Sequence, residues 1–362
     1  MLTFIEMLQV AIDNGASDVF IVAGQPLSYK KGRNIYEIND EKVMPASSRA
    51  LVEEAYQLGH RDISILDSTG DDDFAISVSN MARLRICAFK QRGSLGAVLR
   101  VVSFGIPSYE KMGIPEEVMK LAETQKGLIL VTGSAGSGKS TSLACVIDRI
   151  NHTRSGHIIT LEDPIEYLYR NDKSIVTQRE VGLDTTDYIT GLRACLRQAP
   201  DVILVGEMRD YETIQIALTG AETGHLVLST LHTVGAVNTI DRIIDIFPPN
   251  QQQQIRVQLS MLLQTVVSQQ LLPGVNGEIV PAFEIMHVNP AIRNLIRESK
   301  AHQIETIISM SANEGMVTMD NSLFELCREG KITHETALHY SLHPDLLEKR
   351  LRQLKGREKN EQ

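Results

Sequence analysis

Gly133-Ser134-Ala135-Gly136-Ser137-Gly138-Lys139-Ser140-Thr141 follows a short apolar run, Leu128-Ile129-Leu130-Val131, and opens a helical pattern over 143–150. Apolar strand, glycine-rich turn and helix, in that order, are what a phosphate-binding loop requires. The glycines let backbone N–H groups converge on anionic oxygens, and the helix N-terminus adds a favourable dipole. The spacing G-x-x-x-x-G-K-S directs Lys139 to the β- and γ-phosphates and the Ser140 hydroxyl to Mg²⁺. A glycine-rich surface turn would need neither the strand before it nor the helix after it. The chain is expected to bind a nucleoside triphosphate through Ser134, Ala135, Gly136, Ser137, Gly138, Lys139, Ser140 and Thr141.

Working outward, strand candidates at 127–132, 157–161, 202–205 and 226–230 alternate with helices. Each is nearly continuously apolar, as a parallel sheet covered on both faces demands. The first turn reads G-x-x-x-x-G-K rather than G-x-G-x-x-G, which selects a RecA-like α/β core over a dinucleotide fold. Phe104-Gly105-Ile106-Pro107-Ser108 breaks the pattern and marks a linker; Pro115 then begins a helix through Leu121. Ahead of the linker lies a small α+β domain. Phe4, Met7, Leu8, Ala11 and Ile12 recur at helical spacing, with Gly15 at the stop. A strand over 18–22, a hairpin turn at Lys31-Gly32-Arg33-Asn34, a helix over 48–58 and alternating strands at 74–78, 84–89 and 96–102 follow. Beyond Gln251 the chain reads as mostly helical, with a long pattern over 255–272, a short strand near Ile279 and an amphipathic helix over 291–298. The expected division is 1–103, a linker over 104–114, a core over 115–290 and a helical C-terminal region over 291–362, whose tail from 355 onward is charged.

The 362 residues leave room for two cores, and 43% hydrophobic with 22% charged residues is ordinary for a globular chain. No apolar run approaches the roughly 18 residues of a membrane span, and the start lacks the basic flank of a signal peptide. Cys87, Cys145, Cys195 and Cys327 are scattered without a C-x-x-C pair. That argues against a zinc ribbon or a disulfide framework and for a reducing cytoplasm. A formal net charge of −9 disfavours salt-driven grip on nucleic acid.

Hydrolysis needs carboxylates near the γ-phosphate to position water and organise Mg²⁺. Asp201-Val202-Ile203-Leu204-Val205-Gly206-Glu207 is a Walker-B-like strand end. Gly206 takes the usual Asp position, so the magnesium contact passes to Glu207. Thr160-Leu161-Glu162-Asp163-Pro164-Ile165-Glu166 offers further acids after a second buried strand, and spacing alone leaves open which Glu is the base. His232 follows the strand 226–230 at the end that faces nucleotide, which suits a γ-phosphate sensor. His225 sits at the opposite end, where structural and functional roles both stay open. Arg83, Arg85 and Arg100 on first-domain strands, and Arg242 after the core strands, are candidates to offset phosphoryl charge, one subunit serving another.

The phosphate loop, Glu162-Asp163-Pro164-Ile165-Glu166, Val205-Gly206-Glu207-Met208-Arg209-Asp210, and Glu222-Thr223-Gly224-His225 through Leu231-His232-Thr233 resemble the Walker A, Asp-box, Walker B and His-box set of the secretion ATPase superfamily. Within it the chain resembles the type IV pilus retraction ATPases of the PilT/PilU class. Ser17-Asp18 and Arg83-Leu84-Arg85 resemble that class's N-terminal PAS-like domain, Gln178-Arg179-Glu180-Val181-Gly182 its core, and 291–298 its AIRNLIRE segment. Ser134-Ala135 departs from the common Pro-Thr, a change in loop stiffness rather than chemistry, and the run 251–254 is more polar than usual. Segment 177–183 and Gln198-Ala199-Pro200 lean to the PilU-like branch while 291–298 leans to PilT, so both branches stay open.

The resemblance implies an α/β fold with an N-terminal PAS-like α+β domain, a RecA-like P-loop core and a helical C-terminal region. It implies a homohexamer that hydrolyses ATP with Mg²⁺, the nucleotide lying between the two domains. Glu166 would be the general base, Glu207 would serve Mg²⁺ with Ser140, and Glu162, His232, Arg85, Arg100 and Arg242 would complete the site. The motor would turn an inner-membrane platform protein at the cytoplasmic face, drawing pilin subunits from the fibre base, with peripheral membrane association through the pilus machine and no nucleic acid. Competing readings are a pilus-assembly or type II secretion ATPase, a hexameric nucleic-acid motor, and a nucleotide-binding regulator without turnover.

Overall fold

A computed structural model of the chain describes residues 2–32, 34–78, 81–103 and 105–358. It divides into two compact units, Met1–Gly105 with Glu166–Tyr169, and Ile106–Ile165 with Arg170–Gln362. Of the expected features, Arg33 in the hairpin turn, Phe104 in the linker and the end of the charged tail, from 359 on, lie outside the described residues.

In the first unit, α1 (Phe4–Asp13) starts on a Thr3–Glu6 capping box and buries Phe4, Met7, Leu8 and Ala11. Then come β1 (Asp18–Ile21), β2 (Pro26–Lys31), β3 (Asn34–Lys42), α2 (Pro45–Leu58), α3 (Ser64–Thr69), β4 (Asp71–Val78), β5 (Ala82–Gln91) and β6 (Ser94–Ser103). The strands form one antiparallel sheet in the order β3-β2-β1-β6-β5-β4. Strand alternation buries Leu84, Ile86, Ala97 and Leu99 with the helices and turns Arg83, Arg85 and Arg100 to the other face.

The second unit begins with α4 (Glu116–Met119), capped by Pro115 and ending in a 3₁₀ turn (Lys120–Glu123) where a single longer helix was expected. It continues through β7 (Gly127–Thr132), α5 (Lys139–Thr153), β8 (His157–Glu162), β9 (Ile175–Glu180), α6 (Tyr188–Cys195), β10 (Val202–Val205), α7 (Tyr211–Glu222), β11 (Leu226–Leu231), α8 (Ala236–Asp245) and α9 (Pro249–Leu262). β12 (Leu263–Pro273), β13 (Ile279–His287), α10 (Pro290–Arg297), α11 (Ile304–Met310), α12 (Met319–Arg328), α13 (His334–Tyr340) and α14 (Pro344–Glu358) complete it. The sheet order is β13-β12-β7-β11-β10-β8-β9. The neighbours from β12 through β9 are parallel, and β13 pairs antiparallel with β12. Every residue of β7, β10 and β11 is buried, as a sheet covered on both faces requires.

One expected element is corrected. The apolar pattern over 255–272 is not one helix: α9 ends at Leu262 and the chain turns directly into β12. Buried apolar runs do not distinguish helix from strand by period, and here the open flank of β7 takes up Val266 and Val267 as strand residues. The strand near Ile279 is correspondingly long, because β13 pairs with β12 from Ile279 to His287. Below this hairpin, α12, α13 and α14 pack a separate small core around Leu272, Val280, Leu323 and Leu347. Among the described residues no helix is long and apolar enough to cross a membrane.

Candidate active site

The carboxyl ends of β7, β11, β10 and β8 meet at one edge of the sheet, where open α/β sheets bind ligands. β7 runs into the loop and α5 leaves it. Gly133 (φ 145°) and Gly138 (φ 87°) hold backbone conformations that favour glycine. Space enforces the same choice: a Cβ on Gly133 would lie 2.5 Å from Ser137 Oγ, and one on Gly138 would lie 2.8 Å from Gln269 Nε2. The Ser137 N–H donates to the Ser134 carbonyl at 3.2 Å and closes the turn. Lys139 is buried, its Nζ donating to the carbonyls of Gly133 at 2.8 Å and Ser134 at 2.9 Å. Ser142, one turn into α5, donates to Gln269 Oε1 at 2.7 Å.

Ser137 Oγ is buried in this loop without a protein hydrogen-bond partner. An orphaned hydroxyl inside a cradle of backbone N–H groups fits an anionic ligand that supplies oxygens. Among the described residues no group of three or more His, Cys, Asp or Glu could hold a metal by itself. Mg²⁺ needs only one or two protein oxygens, since phosphate and water fill the rest of its shell, and the Glu207 carboxylate after β10 is such a donor.

Beside the loop, the turn after β10 is tied to its neighbours. Gly206 N–H donates to Leu161 O at 2.7 Å, Thr230 Oγ1 donates to Gly206 O at 2.7 Å, and Met208 N–H donates to Thr230 O at 3.2 Å. A Cβ on Gly206 would lie 2.9 Å from the Tyr188 hydroxyl. The phenol therefore fills the room an Asp side chain would need, which explains the glycine at the Walker B aspartate position. Burial raises the Tyr188 pKa, and the carboxylates of Asp163 and Glu207 raise it further.

Glu207 is held from both sides: His232 Nε2 lies 2.9 Å from its Oε1 and Arg209 Nε 2.7 Å from its Oε2. The pairing raises the Arg209 pKa. The Glu207 side chain is 16% exposed and that of His232 49%, so the pair stands at the edge of the sheet with the imidazole toward solvent. Glu207, Arg209, His232, Thr233 and Arg242 line one cavity of about 390 Å³. The fold thus gathers three of the expected residues, Glu207, His232 and Arg242, from three different elements.

Glu162, at the end of β8, accepts from Thr160 Oγ1 at 2.6 Å and Gln178 Nε2 at 3.3 Å. The Asp163–Pro164 peptide is cis, and Glu166 falls in the stretch that groups with the first unit. In that unit Arg85 and Arg100 lie directly opposite each other on β5 and β6. Arg100 Nε bonds Asp18 Oδ1 at 3.2 Å and Arg83 Nη1 donates to Ser77 Oγ at 3.3 Å. Facing like charges destabilise a sheet, and the Asp18 carboxylate offsets the Arg100 charge in this pair. His225 bonds locally: its Nδ1 lies 2.9 Å from Gly220 O and 3.0 Å from Thr223 Oγ1, at the end of α7.

Sequence reasoning missed Arg209, Tyr188 and Gln269. Arg209 stood in a quoted motif, two residues past Glu207, but nothing in its spacing says that it grips that carboxylate. Tyr188 and Gln269 are distant in sequence and carry no motif at all.

Strand, glycine loop, buried lysine, strand-end acid and the histidine paired with it together define a P-loop nucleotide-binding protein with a RecA-like core. Residues 2–278 match the family model of the Type II/IV secretion system protein. The Type IV pilus retractation ATPase PilT of Pseudomonas aeruginosa is 41% identical over 340 residues, covering 94% of this chain and 98% of that protein. The Type IV pilus ATPase PilU of the same organism is 40% identical over 340 residues, covering 93% and 88%. The crystal structure of the pilus retraction motor PilT with bound ADP superposes with a TM-score of 0.87 at 46% identity, covering 96% of this chain and 100% of that one. The ATPase DotB of Legionella pneumophila gives 0.77 at 26% identity, covering 93% and 95%. The chain belongs to the Type II/IV secretion system protein family, in its PilT/PilU class.

Proposed function

We propose that this chain hydrolyses ATP with Mg²⁺ as a homohexameric motor that powers type IV pilus retraction, and with it twitching motility. The observation that carries the reading is the Glu207–His232 pair, 2.9 Å apart at the sheet edge that also bears the phosphate loop. A carboxylate locked to an imidazole beside a phosphate cradle is a device for hydrolysis and for sensing its progress. It is more than binding requires.

In this reading the loop N–H groups of 134–141 and Lys139 hold the triphosphate. Ser140 and Glu207 hold Mg²⁺, which when bound neutralises phosphate charge. Glu166 takes the proton of the attacking water, and Glu162 supports that water's orientation. His232 reports the γ-phosphate to Glu207. Arg242 offsets phosphoryl charge, as do Arg85 and Arg100 contributed by a neighbouring subunit. The partner is a platform protein at the cytoplasmic face of the membrane. A net charge of −9 speaks against nucleic acid as the track.

Phosphate release from the wild-type chain and from Glu166→Gln tests the chemistry. Measurable turnover that falls roughly 10²-fold or more in the variant is expected for a lost general base. Equal, negligible rates would sink the motor. Direction is tested by deleting the gene and counting surface pili. Retained or excess pili with lost motility support retraction, and loss of pili contradicts it.

A further inference from the structure

Glu284 lies midway along β13, 3% exposed and directly opposite Ser268 of β12. No Lys or Arg pairs with it among the described residues. Two helices meet on its carboxylate instead. Oε1 accepts the N–H of Ala236 at 2.7 Å and Oε2 accepts the N–H of Met319 at 3.2 Å. Ala236 is the first residue of α8 and Met319 the first of α12. Each helix start offers orphan N–H donors and the positive end of its dipole, so one anion serves both. Burial raises the Glu284 pKa above its ordinary value, with the two backbone hydrogen bonds pulling against it.

The surroundings make this a link between regions rather than a local cap. On one side, Ser268 Oγ accepts the N–H of Gly235 at 2.9 Å. Two consecutive N–H groups, those of Gly235 and of Ala236 at the start of α8, are therefore pinned to the β12–β13 hairpin, and α8 carries Arg242 into the cavity shared with Glu207. On the other side, Ile285 and Val317 exchange backbone hydrogen bonds at 2.9 and 3.0 Å, and Phe283 N–H donates to Ser322 Oγ at 3.2 Å. The first turn of α12 is thereby tied to β13 on both flanks of Glu284. α12 in turn belongs to the small C-terminal core.

We propose that Glu284 is a positioning residue that couples the C-terminal helices to the nucleotide site, by tying α12 to the segment that seats His232 and Arg242. The proposal rests on the reading that nucleotide engages residues 133–141 and His232. A neutral glutamine of the same shape presents one oxygen and one NH₂ group. It can satisfy one of the two N–H donors and must oppose the other.

The test follows amide hydrogen exchange in the full chain with and without ADP. In the wild type, ADP is expected to change exchange over 133–141 and also over 319–328. In Glu284→Gln the response over 133–141 should remain and that over 319–328 should vanish. ATP turnover should fall roughly 2–30-fold, with KM for ATP within about twofold of wild type. Ala236→Pro removes the N–H that Oε1 accepts and puts the ring Cδ in its place, so that the oxygen must withdraw. The first-turn position itself accepts proline, and the variant should uncouple the two segments in the same way if the glutamine variant folds poorly. Unchanged wild-type exchange over 319–328 despite bound ADP would overturn the coupling alone, as would its persistence in both variants. Failure of the wild-type chain to bind ADP would overturn the nucleotide-site reading and the coupling with it.

Discussion

Gln269 on β12 accepts a 2.7 Å hydrogen bond from the hydroxyl of Ser142, 127 residues earlier on α5. The same side chain's Nε2 sits 2.8 Å from where a Cβ on Gly138 would stand. The strand that flanks β7 thus braces the exit of the phosphate loop.

Gln269→Ala should strand the buried Ser142 hydroxyl, at a cost of about 1–3 kcal/mol, and should weaken ADP binding by loosening the start of α5. Thermal unfolding with and without ADP reads both effects. An unchanged melting temperature together with unchanged ADP affinity would show that the brace carries nothing.

Gly133→Ala should abolish nucleotide binding while leaving the first unit's fold intact. Its φ of 145° disfavours a side chain, and the new methyl would stand 2.5 Å from Ser137 Oγ. Calorimetric titration with ADP checks binding, and circular dichroism checks the fold. Binding at wild-type affinity would mean that the loop has room that its geometry denies.

Glu207→Gln should separate binding from chemistry. The amide cannot hold the His232 and Arg209 contacts as a carboxylate does, so phosphate release should fall on the order of 10²-fold. ADP affinity should stay near wild type, because the loop and Lys139 are untouched. Equal losses in both would assign Glu207 to binding.

Asp72 should govern the acid stability of the first unit. It accepts from Arg61 Nε and Nη2 at 2.7 Å each and from Tyr56 at 2.8 Å. The Arg61 hydrogen bonds hold its pKa below the usual carboxylate range, against the opposing effect of burial. A depressed carboxylate stabilises above the unfolded pKa of about 4, and that contribution is lost as pH falls through the folded value. Asp72→Asn should lower the melting temperature at pH 7 and flatten its decline below about pH 4. Identical pH profiles for the two proteins would remove Asp72 from the explanation.

If Arg85 acts across a subunit boundary, mixing inactive Arg85→Ala chains with inactive Lys139→Ala chains should restore part of the ATPase rate. Some interfaces would then pair an intact arginine with an intact loop. No recovery after verified subunit exchange would show that Arg85 does not complete a neighbour's site.

Local chemistry explains what was legible in the residues. Gly133 to Thr141 predicted strand, loop and helix because glycine spacing, apolar runs and the following lysine are properties of contiguous chain. The parallel core strands 127–132, 157–161, 202–205 and 226–230 were legible for the same reason, since burial on both faces leaves an apolar run. Leu263 to Pro273 was not: a buried apolar run suits helix or strand equally, and the unfilled edge of β7 decided the matter. His232 and Glu207 were each legible as strand-end residues, but their 2.9 Å contact was not. It depends on β11 lying beside β10 in the sheet order.

By itself, then, the sequence determined the nucleotide-binding class of the protein and the strand, loop and helix of its phosphate loop: such a loop is built from neighbours in the chain, so its residue types encode its geometry. Only the tertiary structure decided what supports that loop. Gln269, Tyr188 and Glu284 owe their positions to strand order and to helices arriving from distant segments, and no spacing rule spans such distances. The glycines at 133, 138 and 206 join the two levels. Their flexibility is written in the sequence, but the atoms that forbid a side chain there include Gln269 and Tyr188, which only folding brings near.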